Sequence, residues 1–112
     1  MVRIKRVYDE PAAADGLRIL VDRLWPRGLT KEKARLDAWL KELAPSDELR
    51  KWFGHDPARW EEFRERYRQE LAGRPESMAR LRALAGQGPV TLLFAAHDVA
   101  HNNAVVLKEL LD

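Results

Sequence analysis

"VTLLFAA", residues 90–96, is the stretch on which the fold turns. It is a near-continuous apolar run, as expected for a central strand covered on both faces. Upstream, "LRILV" (17–21) is short, apolar and partly β-branched, and reads as a second buried strand. "VRIKRVY" (2–8) alternates apolar and basic residues at first, the pattern of a half-exposed strand. Helical signals fill the space between the second strand and the last. Ser46 can cap "DELRKWF", which Gly54 closes. Asp56, Pro57 and Gly73 bracket a longer helix with Trp60, Phe63, Tyr67 and Leu71 along one stripe, a pattern of core packing. Pro75 can start another, with Met78, Leu81 and Leu84 inward. A last helix, "NAVVLKELLD", follows 90–96, with Asn102 or Asn103 as its cap. Helices between core strands, and one after the last, predict a single α/β domain: a small, largely parallel sheet flanked by helices. Residues 30–43 fit two patterns. A helix is expected at the start, and helix and strand both remain open beyond Leu36.

The chain has 112 residues, enough for one domain with a real core. No apolar run approaches the ~18–20 residues that span a bilayer, and no basic-then-apolar leader is present, so no membrane role and a cytoplasmic location are expected. The absence of cysteine removes disulfides, thiolate zinc sites, iron–sulfur clusters and a cysteine nucleophile together. The formal charge is +2, with basic and acidic residues interleaved. That is the pattern of solvated helix faces more than of a surface that tracks nucleic-acid phosphates.

In open parallel sheets, ligands sit beyond the carboxyl ends of the strands. "VDRLWPRG" leaves the end of one apolar strand and "AAHDVAHNN" leaves the end of the other. Parallel strands would therefore gather Asp22, Arg23, Arg27, His97, Asp98 and Asn102 at one edge. A parallel first strand would add Tyr8 and Asp9.

"KRVYD" (5–9), "GLRILVDRLWPRGL" (16–29), "WLKELAPS" (39–46), "LRKWFGHDPARWEEFRERY" (49–67) and "TLLFAAHDVAHNNAVVL" (91–107) closely resemble the DUF488 family, in its YeaO-like branch. The resemblance covers essentially the whole chain and implies no biochemical activity. A uroporphyrinogen methyltransferase label attached to some relatives does not suit a chain this short without a glycine-rich S-adenosylmethionine loop. The chain also departs from the pattern. Many relatives resemble "AAKD" where His97 stands here, some resemble "NHA" where Asn102, Asn103 and Ala104 stand, and more distant ones carry a cysteine near the last strand.

The residues support several chemistries. Arg23 and Arg27, four apart on a turn stiffened by Trp25-Pro26, present two planar forks suited to phosphate or carboxylate. Alternatively Arg23 pairs with Asp22 or Asp98, and Arg27 caps a helix. His97 and His101 would share a face if helical and, with Asp98, could hold a divalent metal. Asp98 could instead orient a histidine as general base, or simply cap the last helix. His55, between two helices, could reach the same edge. Of the four tryptophans, Trp25 stands nearest the expected site, while Trp52 and Trp60 fit core positions. No phosphate-cradling, dinucleotide, nucleophile-elbow or zinc-protease motif is present, and no cofactor is expected.

The leading expectation is a pocket for a small anionic ligand, in a binding protein, a hydrolase or a transferase. Arg23 and Arg27 would hold the anion, with Trp25 and Asn102 beside it. Asp22 or Asp98 would act as base or orienting group, and His55 or His101 as proton carrier, without a metal. One alternative is a noncatalytic nucleic-acid- or protein-binding module using Arg3, Lys5 and Arg6. Another is a metal-dependent enzyme built on His97, Asp98 and His101. Oligomeric state stays open.

Overall fold

The computed structural model describes all of residues 1–112. Its sheet has four parallel strands: β1 (Val2–Arg6), β2 (Leu17–Leu20), β3 (Ala38–Trp39) and β4 (Val90–Phe94), in the order β1-β4-β2-β3. Val90 pairs with Val2 on one side and Leu17 on the other, and the register runs unbroken to Phe94 opposite Arg6 and Leu93 opposite Leu20. β4 is buried at every position, because it is central and covered on both faces.

The two faces are covered differently. Ile19, Val21, Leu92 and Phe94 alternate onto one face and pack with buried residues of α2 (Asp47–Phe53), α3 (Trp60–Ala72), α4 (Pro75–Ala85) and α5 (Asn103–Leu111). Tyr67 is fully buried there, its hydroxyl donating to the Leu43 carbonyl. Leu20 and Leu93 point the other way, where Val7, Trp25, Leu29, Leu36 and Trp39 cover them. Helices therefore line one face, and the β2–β3 connection roofs most of the second.

That roof resolves residues 30–43. Thr30 caps a four-residue α1 (Lys31–Ala34), which ends where Arg35 turns left-handed at φ 47°. Ala38 and Trp39 then pair with Ile19 and Leu20 as edge strand β3, and a 3-10 turn covers Lys41–Leu43. The long helix also starts later than its signals indicate. Asp56 caps a 3-10 turn at Pro57–Arg59, and α-helix begins at Trp60. Trp52 and Trp60 are half-buried rather than interior. Trp52 carries the guanidinium of Arg66 over its ring at 4.5 Å and that of Arg59 at 5.3 Å.

The cations of β1 are engaged within the chain. Arg3 donates to the Ala14 carbonyl, Arg6 to the Ala95 and Ala96 carbonyls, and Lys5 to the Glu10 carbonyl and the Asp15 carboxylate. No helix is long and apolar enough to cross a membrane.

Candidate functional site

β2 and β4 run parallel, so the chain leaves both at the same edge, and Asp22 stitches the two exits together. Its Oδ2 accepts from the Ala95 N–H at 2.9 Å, and its Oδ1 accepts from Asn103 at 3.1 Å. The same Asn103 amide donates to the Val21 carbonyl at 2.9 Å, and the Trp39 indole donates to the Asp22 carbonyl at 2.7 Å. Asn102, not Asn103, caps α5, accepting from the Val105 N–H. Asn103 is thereby free to serve the strand ends.

The turn that follows is rigid. Trp25 donates its indole N–H to the Leu29 carbonyl at 2.6 Å and meets Trp39 edge-on at 5.5 Å. Tyr8 donates its hydroxyl to the Arg27 carbonyl at 2.9 Å. Beyond these exits lies a cleft of about 740 Å³. Asp22, Arg23, Trp25, Arg27, His55, His97, Asp98, His101 and Asn102 all line it, as does Tyr8. Sequence reasoning missed Arg50, Phe53 and Phe63 among the lining residues, because α2 and α3 reach the cleft through tertiary packing alone.

Two of the arrangements that the sequence left open are not adopted. Arg23 turns to neither Asp22 nor Asp98. Its Nε lies 3.8 Å from Asp47 Oδ1, close enough for ion pairing but beyond hydrogen-bond range. That Nε is buried and has no hydrogen-bond partner. The segment between His97 and Asn102 is a loop, so the two histidines share no helical face. Asp98 instead folds the loop on itself. It accepts from the N–H groups of Ala100 and His101, and its Oδ2 lies 2.8 Å from His101 Nδ1. His101 packs edge-on against Trp60 at 5.2 Å. His55 holds a left-handed backbone at φ 57° just past the end of α2. No three His, Asp or Glu side chains converge as a metal-ligand set.

The two carboxylates are shifted in opposite directions. Burial pushes Asp22 above the usual carboxylate range, against the bonds from Ala95 and Asn103 and the nearby His55. The Ala100 N–H and then His101 hold Asp98 below it. Asp98 is therefore ionised and purely an acceptor at neutral pH. Its Oδ2 can only accept, so His101 Nδ1 is the donor of that contact and Nε2 is left outside it. A carboxyl-carbon NMR titration should place the Asp22 midpoint above ~3.9 and the Asp98 midpoint below it. The native state holds the Asp22 proton more tightly than the unfolded chain. Stability should thus decline as pH rises from the ordinary Asp value through the raised one, and Asp22→Asn should abolish that slope. Equal, ordinary midpoints would contradict the burial argument.

Fold and cleft together define a small α/β protein whose ligand-sized cleft lies at the carboxyl ends of a parallel sheet. The sequence model of the inactive DUF488-N3 subclade matches residues 1–112, and the chain belongs to the DUF488 family. It is 46% identical over 110 residues to the uncharacterized protein YeaO of Escherichia coli K12, covering 98% of this chain and 96% of that one. It is 45% identical over 111 residues to the uncharacterized protein Rv3073c of Mycobacterium tuberculosis H37Rv, covering 99% and 93%. No solved structure matches the chain.

Proposed function

We propose that the cleft binds a small anionic ligand, a phosphate or carboxylate compound, and that Arg23 is its principal anchor. The observation that carries this reading is the buried, unpartnered Nε of Arg23. A buried donor without an acceptor costs about 1–3 kcal/mol, and a ligand oxygen would remove that cost. The other charges point the same way. Each carboxylate oxygen of Asp22 and Asp98 already accepts from a donor of this chain. Arg27 lines the cleft and has no ion pair, while Arg50 has only the exposed Asp47, at 3.4 Å. Exposed pairs of that kind contribute little and yield readily to a better acceptor. The description of the matching subclade as inactive favours binding without turnover.

The test is ligand-linked stabilisation. At ten times the dissociation constant, phosphate or a phosphorylated metabolite should add about 1.4 kcal/mol. For a domain of this size that is a rise in Tm of roughly 6 °C. Chloride at matched ionic strength should do much less. Arg23→Ala should fold and lose most of the shift, and Arg27→Ala should lose part of it. A full shift in both variants would place the anion elsewhere.

The Asp98–His101 pair supports a second reading, in which His101 Nε2 takes a proton from water attacking a bound ester. His101→Asn would then abolish turnover of an ester probe while leaving its affinity intact. Nucleic-acid binding has less support, since Arg3, Lys5 and Arg6 are engaged within the chain.

A further inference from the structure

Four large apolar side chains are exposed in this protein, and three gather at one place. Tyr8 (41% exposed) and Leu24 (65%) line the cleft, and Val99 (60%) projects from the loop whose Asp98 and His101 also line it. The fourth, Met1, sits at the opposite end of the sheet, its carbonyl accepting from the Val90 N–H. Elsewhere the surface keeps its large apolar groups covered, so their concentration around a cationic cleft marks surface that a ligand would dehydrate. The cleft is also far larger than one phosphate ion. Its volume of about 740 Å³ falls among sites for whole organic molecules. Phe53 and Phe63, themselves almost fully buried, contribute an aromatic floor.

We propose that the occupant is a free small-molecule phosphate monoester whose phosphate is carried on a flat aromatic or heteroaromatic ring. This deepens the anion-binding reading and rests on it. The phosphate would meet Arg23, whose Nε makes no hydrogen bond, with Arg27 and Arg50 also lining the cleft to match its double charge. The ring would lie against Leu24 and Tyr8. One face of the Tyr8 ring is held by the Arg6 guanidinium, 5.1 Å from its centre, and its hydroxyl is fixed on the Arg27 carbonyl. Tyr8 therefore presents its remaining face already oriented, which lowers the entropy lost when a ring stacks on it. Phosphate gives charge recognition, and the ring gives the apolar contact that a bare anion cannot make.

Calorimetric titration with four probes at constant ionic strength tests this: inorganic phosphate, methyl phosphate, phenyl phosphate and benzyl alcohol. Phenyl phosphate should bind at least about tenfold more tightly than methyl phosphate, as burial of a ring face predicts. Benzyl alcohol should bind too weakly to measure. Leu24 is exposed, so Leu24→Ser should fold, keep the methyl phosphate affinity and lose most of the ring advantage. Arg23→Ala should weaken both esters together. If the two esters bind equally, the ring proposal fails while the anion site stands. If no phosphate compound binds, or if benzyl alcohol binds as well as phenyl phosphate, the anion site itself fails and the proposal with it. A ring advantage undiminished in Leu24→Ser would overturn the assigned placement. A phosphotyrosine peptide that binds more tightly than phenyl phosphate would overturn the small-molecule assignment in favour of a protein partner.

Discussion

Asp15→Ala is expected to destabilise the protein by about 3–5 kcal/mol, because it strands a buried arginine. Arg18 is 4% exposed and Asp15 5%. One arm of the Arg18 guanidinium donates to Asp15 at 2.5 Å, and the rest spans the carbonyls of Ala34 and Arg35 that close α1. The Asp15 carbonyl accepts from Thr91, and Asp37 bonds back to the Arg18 N–H. This one node joins β2, β4, the end of α1 and the approach to β3. Without the carboxylate, Arg18 keeps its carbonyls but loses its buried counter-charge. At roughly 4 °C per kcal/mol the fall in Tm should be ~12–20 °C. Asp47→Ala, which removes only exposed pairs, should cost less than about 1 kcal/mol. The acid limb carries a second signature. Burial pushes the Asp15 carboxyl up, but the Ala12 N–H, Lys5 and Arg18 together outweigh it and hold it below the usual range. Its contribution is then whole above the ordinary Asp value near ~4 and drains away as pH falls through the lowered one. Asp15→Ala should flatten that part of the acid profile. An unchanged Tm would mean that the node contributes nothing to stability.

This node was invisible in the sequence, whereas the central strands were not, and the reason is physical. Residues 90–94 and 17–20 are legible because full burial of a central strand demands uninterrupted apolar character. Arg18 breaks that rule, and nothing local announces that its charge is met by Asp15. β3 was ambiguous because two residues carry no periodicity. Pairing with β2 makes Ala38 and Trp39 a strand, and the left-handed turn at Arg35 ends the helix before them. The cleft was legible to the extent that it follows from parallel strand ends, which is why Asp22, Arg23 and Asp98 meet there. Arg50 and Phe53 were not, since α2 reaches the cleft only after folding. For the same reason the sequence offers Arg23 only Asp22 or Asp98 as partners, the alternative to an anion. Asp22 is instead saturated by Ala95 and Asn103, and Asp98 by its own loop.

Gly16→Ala should cost at least about 3 kcal/mol, from backbone strain and steric conflict together. Gly16 has φ 64° and ψ −136°, a conformation open essentially to glycine alone. A Cβ there would stand 2.1 Å from the Pro89 carbonyl oxygen and 2.6 Å from its carbon. These are backbone atoms, so no rotamer change relieves the contact. The same Pro89 oxygen accepts from the Leu17 N–H at 3.0 Å, the bond just ahead of the Leu17–Val90 pair that starts the β2–β4 register. Pushing Pro89 away strains the register at its origin. Five residues on, that register is what sets Asp22 within 2.9 Å of the Ala95 N–H and so holds the two walls of the cleft together. The variant should therefore lose anion-linked stabilisation along with stability, although residue 16 lies at the far end of the sheet from the cleft. Gly28→Ala is the comparison that isolates the clash. Gly28 also has positive φ, 77°, but a Cβ there meets nothing within 4 Å. It should cost only about 1–2 kcal/mol of conformational strain. Chemical denaturation of the two variants side by side should show Gly16→Ala the more damaging by roughly 1 kcal/mol or more. Equal losses would mean that the approach to Pro89 is not the limiting contact, and that the β2–β4 register tolerates movement at its origin.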